Sequence, residues 1–131
     1  MPKTVPQLTN RSGRPFPPSE LPFSQVVEAN RFVFVAGQVG NVPGSDGPVP
    51  GGIEPETRQM LENVGELLAA VGLGFADVVK TTVYLSDFDD FAGMNRVYRE
   101  FFTDALPTRA TVGVTRLVAD YRAEIEVMAA R

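Results

Sequence analysis

The first strongly apolar segments of the chain are two short runs in which valine and phenylalanine predominate. They cover residues 23–28 and 31–36 and are separated by Ala29 and Asn30. β-Branched and aromatic residues favour strands, and a short break between two such runs is typical of a hairpin. The pattern therefore predicts a β-hairpin. The polar, proline-rich residues 1–22 that precede it predict a loosely structured N-terminal arm.

Helical spacing begins after the glycine- and proline-rich residues 37–52. Those residues contain neither Gly-Lys-Ser/Thr nor GxGxxG, so they predict a turn-rich loop rather than a phosphate-binding loop. Pro55, between two glutamates, suits the first turn of a helix. One apolar stripe follows at helical spacing: Met60, Leu61, Val64, Leu67, Leu68 and Val71. Gly72 and Gly74 predict where this helix ends.

The second half of the chain predicts a strand, a helix and two more strands. Residues 78–85 alternate as a strand does, with one face predicted to carry Val79, Thr81, Val83 and Leu85. Aspartates within residues 87–90 suit a helix start, and the predicted buried face of that helix is Phe91, Met94, Tyr98, Phe101 and Phe102. Pro107 ends this helix, and residues 108–115 and 123–129 predict the final strands.

This order of elements predicts an α+β sandwich in which two helices cover one face of a mixed sheet. A chain of 131 residues is typical of one domain, so residues 1–131 are predicted to form one. Two helices cannot cover both faces, and we expect the other face to be buried against another subunit. By alternation, that face is predicted to carry Arg109, Thr111, Gly113, Glu124 and Glu126.

Composition narrows the chemistry that such a fold can carry. There is no cysteine and no histidine, which excludes disulfides, thiolate nucleophiles, histidine-based dyads and most zinc, copper and haem sites. The formal net charge of −4 argues against nucleic acid or an anionic membrane surface as the partner. The sequence has neither an apolar leader nor an apolar run long enough to span a membrane. A cytoplasmic protein with a small-molecule or protein partner is therefore expected.

Arg109 and Glu124 are the strongest candidates for chemistry because they lie near the ends of two consecutive predicted strands. A guanidinium can bind a carboxylate through two parallel hydrogen bonds, and a carboxylate can orient or deprotonate water. Together they suit the hydrolysis of a small carboxylic acid. An ordinary ion pair at a surface or interface explains the same two residues, and spacing alone leaves both readings open.

Other candidates have simpler structural explanations. Lys80 could form a Schiff base, but its position on the polar side of a strand favours a solvated or salt-bridged lysine. Ser24 and Ser86 have no histidine to act as a base. The aspartates of residues 87–90 resemble a metal cluster, yet capping of the following helix accounts for them.

Several segments match a known family in order: Pro22-Phe23-Ser24-Gln25, Ala36-Gly37-Gln38-Val39, Glu56-Thr57-Arg58-Gln59, Leu61-Glu62-Asn63-Val64, the run from Asp77 to Leu85, Phe91 to Asn95, Pro107-Thr108-Arg109 and Ala123-Glu124-Ile125-Glu126. Through them the chain resembles the RidA (YjgF) family of reactive-intermediate imine deaminases from Phe23 to Met128. The resemblance implies a homotrimer of chorismate-mutase-like α+β subunits, with the sheets forming a barrel and three clefts between subunits. It implies hydrolysis of enamines and imines, such as 2-aminoacrylate and 2-iminopropanoate, to a 2-keto acid and ammonia. It also implies that no cofactor or metal is needed.

The resemblance assigns roles to particular positions. Arg109 matches the arginine that holds the substrate carboxylate, and Glu124 matches the glutamate that positions the attacking water. Gly37 matches a glycine whose backbone contacts the ligand, and Asn95 matches an asparagine near the cleft. Residues expected to line the cleft are Phe23, Phe91 and Thr111.

Three departures from the family pattern affect this expectation. Phe23 replaces the usual site tyrosine, the segment between Phe102 and Arg109 is shorter, and residues 42–52 are peculiar to this chain. They keep a second hypothesis open, a non-catalytic trimeric module that binds 2-keto or other small carboxylic acids. A chorismate mutase activity is a poor third, since a dicarboxylate needs several cations and one arginine matches.

Overall fold

The computed structural model describes residues 2–8 and 21–131. Five strands are present there: β1 Val26–Ala29, β2 Phe32–Val39, β3 Val78–Leu85, β4 Thr108–Gly113 and β5 Ala123–Ala130. Two α-helices accompany them: α1 Ile53–Ala70 and α2 Phe91–Phe101. The strands form one sheet in the order β1-β2-β5-β3-β4. β3 and β4 pair in parallel and the other neighbours pair antiparallel, so the predicted mixed sheet is confirmed.

Both helices pack on one face of the sheet, as predicted. The stripe of α1 supplies fully buried side chains, and β5 opposes it with alternate residues that are also buried. Each such aliphatic side chain contributes about 1.5–3 kcal/mol through burial, which holds the layers together. The centre of this core consists of Met60, Leu61, Val64, Leu68, Val83, Leu85, Met94 and Ile125.

The N-terminal hairpin forms with its turn one residue later than predicted. Asn30 and Arg31 both have positive φ, 52° and 69°, which is the backbone that a two-residue turn between right-twisted strands requires. Part of the predicted loose arm is ordered, because Thr4 exchanges both backbone hydrogen bonds with Glu28 at 2.7 and 2.8 Å. Residues 1 and 9–20 of that arm lie outside the described residues.

Two register shifts change which side chains face the core. One lies between Val78 and Lys80 on β3, where Val78 is 3% exposed and Val79 is 41% exposed. The prediction that Val79 shares the core face with Thr81 is therefore wrong. The other lies between Val35 and Gln38 on β2, which continues beyond the predicted end of the hairpin to Val39. Such bulges bend a strand and re-aim the residues beside them.

The prediction for the uncovered face is wrong for β4. Parallel pairing places Arg109 beside the buried Thr81, Thr111 beside Val83 and Gly113 beside Leu85, and cross-strand partners share a face. These three β4 residues therefore lie on the helix side of the sheet. Glu124 pairs with Tyr84, as predicted for the open face, and Glu126 pairs with Thr82. Alternation links residues within a strand but does not fix the phase between strands, which caused the error.

Neither helix in the described residues has both the length and the apolar character needed to cross a membrane.

Candidate functional site

Arg109 lies at the sheet edge with its guanidinium against two aromatic rings of α2. Its central carbon is 4.7 Å from the centre of the Tyr98 ring and 5.8 Å from that of Phe91. Such contacts are attractive and fix the plane of the guanidinium. Tyr98 is held in turn by a 2.9 Å hydrogen bond between its hydroxyl and that of Thr81 on β3. Phe91 stacks on Phe88 with ring centres 5.1 Å apart, which extends the aromatic surface toward solvent.

Arg109 has no carboxylate partner among residues 2–8 and 21–131, where the ion pairs involve Arg58, Arg96, Arg122 and Arg131. Burial raises the pKa of the neighbouring Tyr98, against the opposing effects of Thr81 and Arg109, so this phenol stays neutral at physiological pH. Arg109 is therefore oriented by rings rather than neutralised by an acid. Its paired N–H donors suit an incoming carboxylate.

A pocket of about 260 Å³ opens beside Arg109 and is also lined by Asn95 and Tyr98 of α2. The structure thus brings Asn95 to Arg109, as the resemblance implies. Thr111 lies two residues further along the same face of β4, and its hydroxyl oxygen is buried without a hydrogen-bond partner in the described part of the chain. The hydroxyl oxygen of Thr57 on α1 is in the same state, so an unpaired buried hydroxyl does not by itself mark a ligand contact here.

Glu124 occupies a different cleft, on the open side of the sheet. The cleft has a volume of about 620 Å³ and is also lined by Phe23, Gly37 and Val118. A Cβ atom placed on Gly37 would collide with the Glu124 carboxylate oxygen Oε2, so only glycine permits this approach of β2 to the side chain. Three of the predicted site residues, Phe23, Gly37 and Glu124, therefore do come together.

The environment of Glu124 favours its protonated form. Partial burial raises the pKa of its carboxyl group, and the negative charge of Glu126 raises it further. No arginine or lysine forms an ion pair with Glu124 in residues 2–8 and 21–131. Glu126 itself accepts a 2.6 Å hydrogen bond from the Tyr84 hydroxyl. A carboxylate with a raised pKa is a stronger base toward water than an ordinary surface glutamate.

Two polar side chains that the sequence did not single out shape the β2 end of this cleft. Gln38 donates from Nε2 to Gln25 Oε1 at 2.8 Å and to the Ala36 carbonyl at 3.1 Å. Asn63 of α1 donates from Nδ2 to the carbonyls of Val39 and Asn41 at 2.9 and 2.8 Å. They secure the bulged segment that carries Gly37.

Glu56 fixes the start of β5 on the other side of Glu124. Its Oε2 accepts the backbone N–H groups of Arg122 and Ala123 at 2.7 and 3.1 Å. Glu56 is 2% exposed, and burial raises the pKa of its carboxyl despite these hydrogen bonds. The sequence suggested only a favourable acidic residue in the first helical turn. Its position within a family-like motif was the signal that could have marked it as structurally important.

The prediction that the aspartates of residues 87–90 cap the following helix is only partly confirmed, because Asp87 caps the short turn before α2 while Asp90, directly before that helix, makes no capping hydrogen bond. The Asp87 Oδ1 accepts the backbone N–H of Asp89 at 2.9 Å, within the short turn Phe88–Asp90 that leads into α2. The hydroxyl of Ser86 is likewise committed, donating to the Tyr121 carbonyl at 3.1 Å.

Arg109 and Glu124 do not share a cleft within one chain. β3 separates their strands, and the two side chains lie on opposite faces of the sheet. The expectation that neighbouring strands bring them together is therefore wrong for the single chain. The molecule instead carries two candidate half-sites, an Arg109 half-site with Asn95 and Tyr98 and a Glu124 half-site with Phe23 and Gly37.

Residues 15–131 match the sequence model of the family described as Endoribonuclease L-PSP. The chain belongs to this family. This result confirms the resemblance found in the sequence, because RidA and YjgF proteins are members. Among its Endoribonuclease L-PSP relatives, the mouse 2-iminobutanoate/2-iminopropanoate deaminase is 45% identical over 108 residues, which cover 82% of this chain and 80% of the mouse protein.

Solved structures of Endoribonuclease L-PSP proteins share the fold. Escherichia coli TdcF with bound serine is 38% identical, with a TM-score of 0.80 over 88% of this chain and 92% of that one. A Rid family protein of Yersinia pestis is 30% identical, with a TM-score of 0.87 over 99% of this chain and 100% of that one. The predicted α+β architecture is thus confirmed by the sheet itself and by its relatives.

Proposed function

We propose that this protein hydrolyses reactive enamines and imines, such as 2-aminoacrylate and 2-iminopropanoate, to 2-keto acids and ammonia. The observation that carries the proposal is the pair of half-sites: an arginine oriented by aromatic rings without an acidic partner, and a partly buried glutamate with a raised pKa. Carboxylate binding and activation of water are the two tasks that this hydrolysis requires. The name of the mouse relative, a 2-iminobutanoate/2-iminopropanoate deaminase, supports the same reaction.

The complete site is formed between subunits. Because Arg109 and Glu124 lie on opposite faces of one sheet, a second copy must bring its Glu124 half-site against the Arg109 half-site. A closed ring repeats this contact and gives each copy a share in two sites. The open face and the sheet edge carry apolar side chains that such contacts would cover, among them Phe34 and Val112, which are 41% and 40% exposed. The homotrimer implied by the family resemblance is the ring that we propose.

Arg109 binds the substrate carboxylate through two parallel N–H···O bonds. Glu124 accepts a proton from water as the water oxygen bonds to the imine carbon. The C=N double bond becomes a C–N single bond, and nitrogen receives the proton that Glu124 took from water. In the resulting carbinolamine, Glu124 takes the hydroxyl proton and passes it to nitrogen, so that the C–N bond breaks as the C=O bond forms and ammonia leaves. Orientation supplies most of the rate increase, because imines already hydrolyse readily in water.

Phe23 favours the alternative of a binding module, because it lines the Glu124 half-site where the family has a tyrosine hydroxyl. Such a module would bind a 2-keto or other small carboxylic acid at Arg109 without turning it over. The presence of Glu124 favours the catalytic hypothesis. A partly buried carboxylate beside an anion-binding site weakens binding of an anion but provides a base for water.

The deciding experiment generates 2-aminoacrylate in the cuvette with a serine dehydratase and follows keto acid release. We expect wild type to accelerate release and Arg109→Ala to abolish the acceleration. Arg58→Ala is the matched control, because Arg58 is an exposed arginine paired with Glu100 away from both half-sites. A folded wild-type assembly that gives no acceleration, but binds pyruvate through Arg109, would establish the binding module instead.

A further inference from the structure

We propose that Tyr84 is a positioning residue that holds the Glu126 carboxylate away from Arg109, so that Arg109 stays available to the substrate. This inference rests on the proposed function, because it names a residue that acts on the carboxylate-binding step of that reaction. Its basis is a hydrogen bond of 2.6 Å that the Tyr84 hydroxyl donates to Glu126 Oε1, on the face of the sheet that carries Glu124. The contact lies within one chain, so it does not depend on which surface a second copy covers.

β5 presents two carboxylates on the open face of the sheet. Glu124 and Glu126 are two residues apart on the strand, so their side chains point to the same side and their Cα atoms are about 7 Å apart. Glu124 lies against Gly37 on the β2 side, where a Cβ atom would meet its Oε2. No arginine or lysine forms an ion pair with Glu126 in residues 2–8 and 21–131. A second carboxylate without a cationic partner therefore lies beside the catalytic one.

The register between β3 and β5 shows what the Tyr84 hydroxyl does. Tyr84 is the direct cross-strand partner of Glu124, whereas the partner of Glu126 is Thr82. The tyrosine side chain nevertheless reaches diagonally to Glu126, a contact that long side chains make between antiparallel strands. The short O–H···O distance is typical of a charge-assisted bond to a carboxylate, which is stronger than a neutral hydrogen bond. Tyr84 thus leaves Glu124 to act on water and ties Glu126 to β3.

A Glu126 carboxylate without this bond would compete with the substrate. In the complete site, one copy brings its Arg109 to the face on which the other copy carries both glutamates. Arg109 has no carboxylate partner in the described part of its own chain, and a guanidinium pairs with a glutamate through the same hydrogen bonds as with an imino acid. The bond from Tyr84 commits one oxygen of Glu126 and so weakens it as a competitor.

The test measures KM and kcat on 2-aminoacrylate for Tyr84→Phe, for Glu126→Ala and for the double variant. The assays are run on the upper plateau of the pH profile, where Glu124 is ionised in every variant. We expect Tyr84→Phe to raise KM about 5-fold, the upper end of what an exposed ion pair contributes, with a much smaller change in kcat. Glu126→Ala breaks the same hydrogen bond but removes the competitor. KM should therefore lie at or below the wild-type value in Glu126→Ala and in the double variant.

Arg58→Ala is the matched control for the release of a carboxylate. It frees Glu100, which pairs with Arg58 at 2.8 Å away from both half-sites, and it should leave KM unchanged. Light scattering verifies that every variant assembles as wild type does. A bond that serves only the structure of the sheet predicts the same increase in KM for Tyr84→Phe, Glu126→Ala and the double variant. That result would refute the proposal, and so would an unchanged KM in Tyr84→Phe.

Pyruvate binding separates this inference from the proposed function. Pyruvate presents a carboxylate to Arg109 without reacting, so its Kd from calorimetry measures the competition directly. We expect about 5-fold weaker binding in Tyr84→Phe and recovery in the double variant. If no imine is hydrolysed but the Kd values follow this pattern, the catalytic proposal fails and the positioning role stands. If imines are hydrolysed and neither KM nor Kd depends on Tyr84, the positioning role is refuted and the catalytic proposal stands.

Discussion

The guanidinium of Arg109 lies 4.7 Å from the centre of the Tyr98 ring, on the side of the sheet that carries the helices. A surface ion pair would have neutralised this arginine, whereas Tyr98 orients it without cancelling its positive charge. Tyr98 belongs by sequence to the apolar face of α2, and its ring does pack in the core. One aromatic side chain therefore serves both the fold and the half-site.

We expect Tyr98→Leu to raise KM about 10-fold, because an exposed to partly buried cation–π contact contributes about 0.5–2 kcal/mol to the orientation of Arg109. kcat should change less, since Arg109 acts in binding. Tyr98→Phe keeps the ring and should retain most of the wild-type KM. Steady-state kinetics with 2-aminoacrylate measure both constants. Denaturant unfolding measures the stability that each variant loses with its core packing, so that the kinetic constants refer to folded protein. Equal KM values for the leucine and phenylalanine variants would contradict a positioning role.

The pH dependence of kcat/KM should reveal the ionisation of Glu124. Glu124 acts as a base when ionised, and its pKa lies above the ordinary value because of burial and of Glu126. The kcat/KM should therefore fall as the pH drops through the pKa of Glu124, which burial and Glu126 raise and Arg109 of the neighbouring copy lowers. Glu126→Gln removes the neighbouring charge and should shift this acid limb to lower pH. Glu62→Gln, an exposed change on α1, should leave it in place.

The elements of the fold were predictable because they depend on local periodicity. The stripe of α1 and the alternation of β3 each lie within one segment, and the segment order already indicated an α+β sandwich. The relation between strands was not predictable in this way. Arg109 was assigned to the wrong face because its side depends on the register between β4 and β3. Val79 was misplaced because a bulge beside it shifts the alternation.

The half-sites were predictable only in part. The resemblance identified Gly37, Asn95, Arg109 and Glu124, and the structure brings each of them into one of the two half-sites. Glu56 and Asn63 act through long-range hydrogen bonds to backbone groups, which leave no pattern in the local sequence. The single-domain assignment of residues 1–131 and the cytoplasmic location stay predictions.

Glu56 is expected to contribute to stability and, through β5, to activity. Glu56→Ala would leave the backbone N–H groups of Arg122 and Ala123 buried without an acceptor, at a cost of about 2–5 kcal/mol. Glu56→Gln keeps a carbonyl oxygen and should lose much less. Urea unfolding gives the free energies, and kcat/KM of the folded fraction gives the effect on Glu124. Equal destabilisation by alanine and glutamine would show that the charge matters rather than the acceptor.

Substitution of Gly37 tests whether its close approach to the Glu124 carboxylate matters for catalysis. Gly37→Ala adds a methyl group where Glu124 Oε2 lies, so the carboxylate must move away from its position in the cleft. We expect kcat to fall at least 10-fold, because misplaced catalytic groups lose much of their effect. Gly74→Ala is the matched control, since a Cβ there meets nothing within 4 Å and the backbone has φ of −142°. Unchanged kcat in Gly37→Ala would mean that Glu124 tolerates displacement.

Mixing of inactive subunits tests whether each site draws on two copies. Arg109→Ala and Glu124→Gln each remove one half of every site in their own homotrimer. In a mixed ring, one interface joins an intact Arg109 half-site to an intact Glu124 half-site. Random assembly of equal amounts should therefore restore about a quarter of wild-type activity. Denaturing and refolding the variants together supplies the mixture, and refolding each alone supplies the control. No recovery from verified mixed trimers would place both residues of each working site on the same chain, against the geometry of β4 and β5.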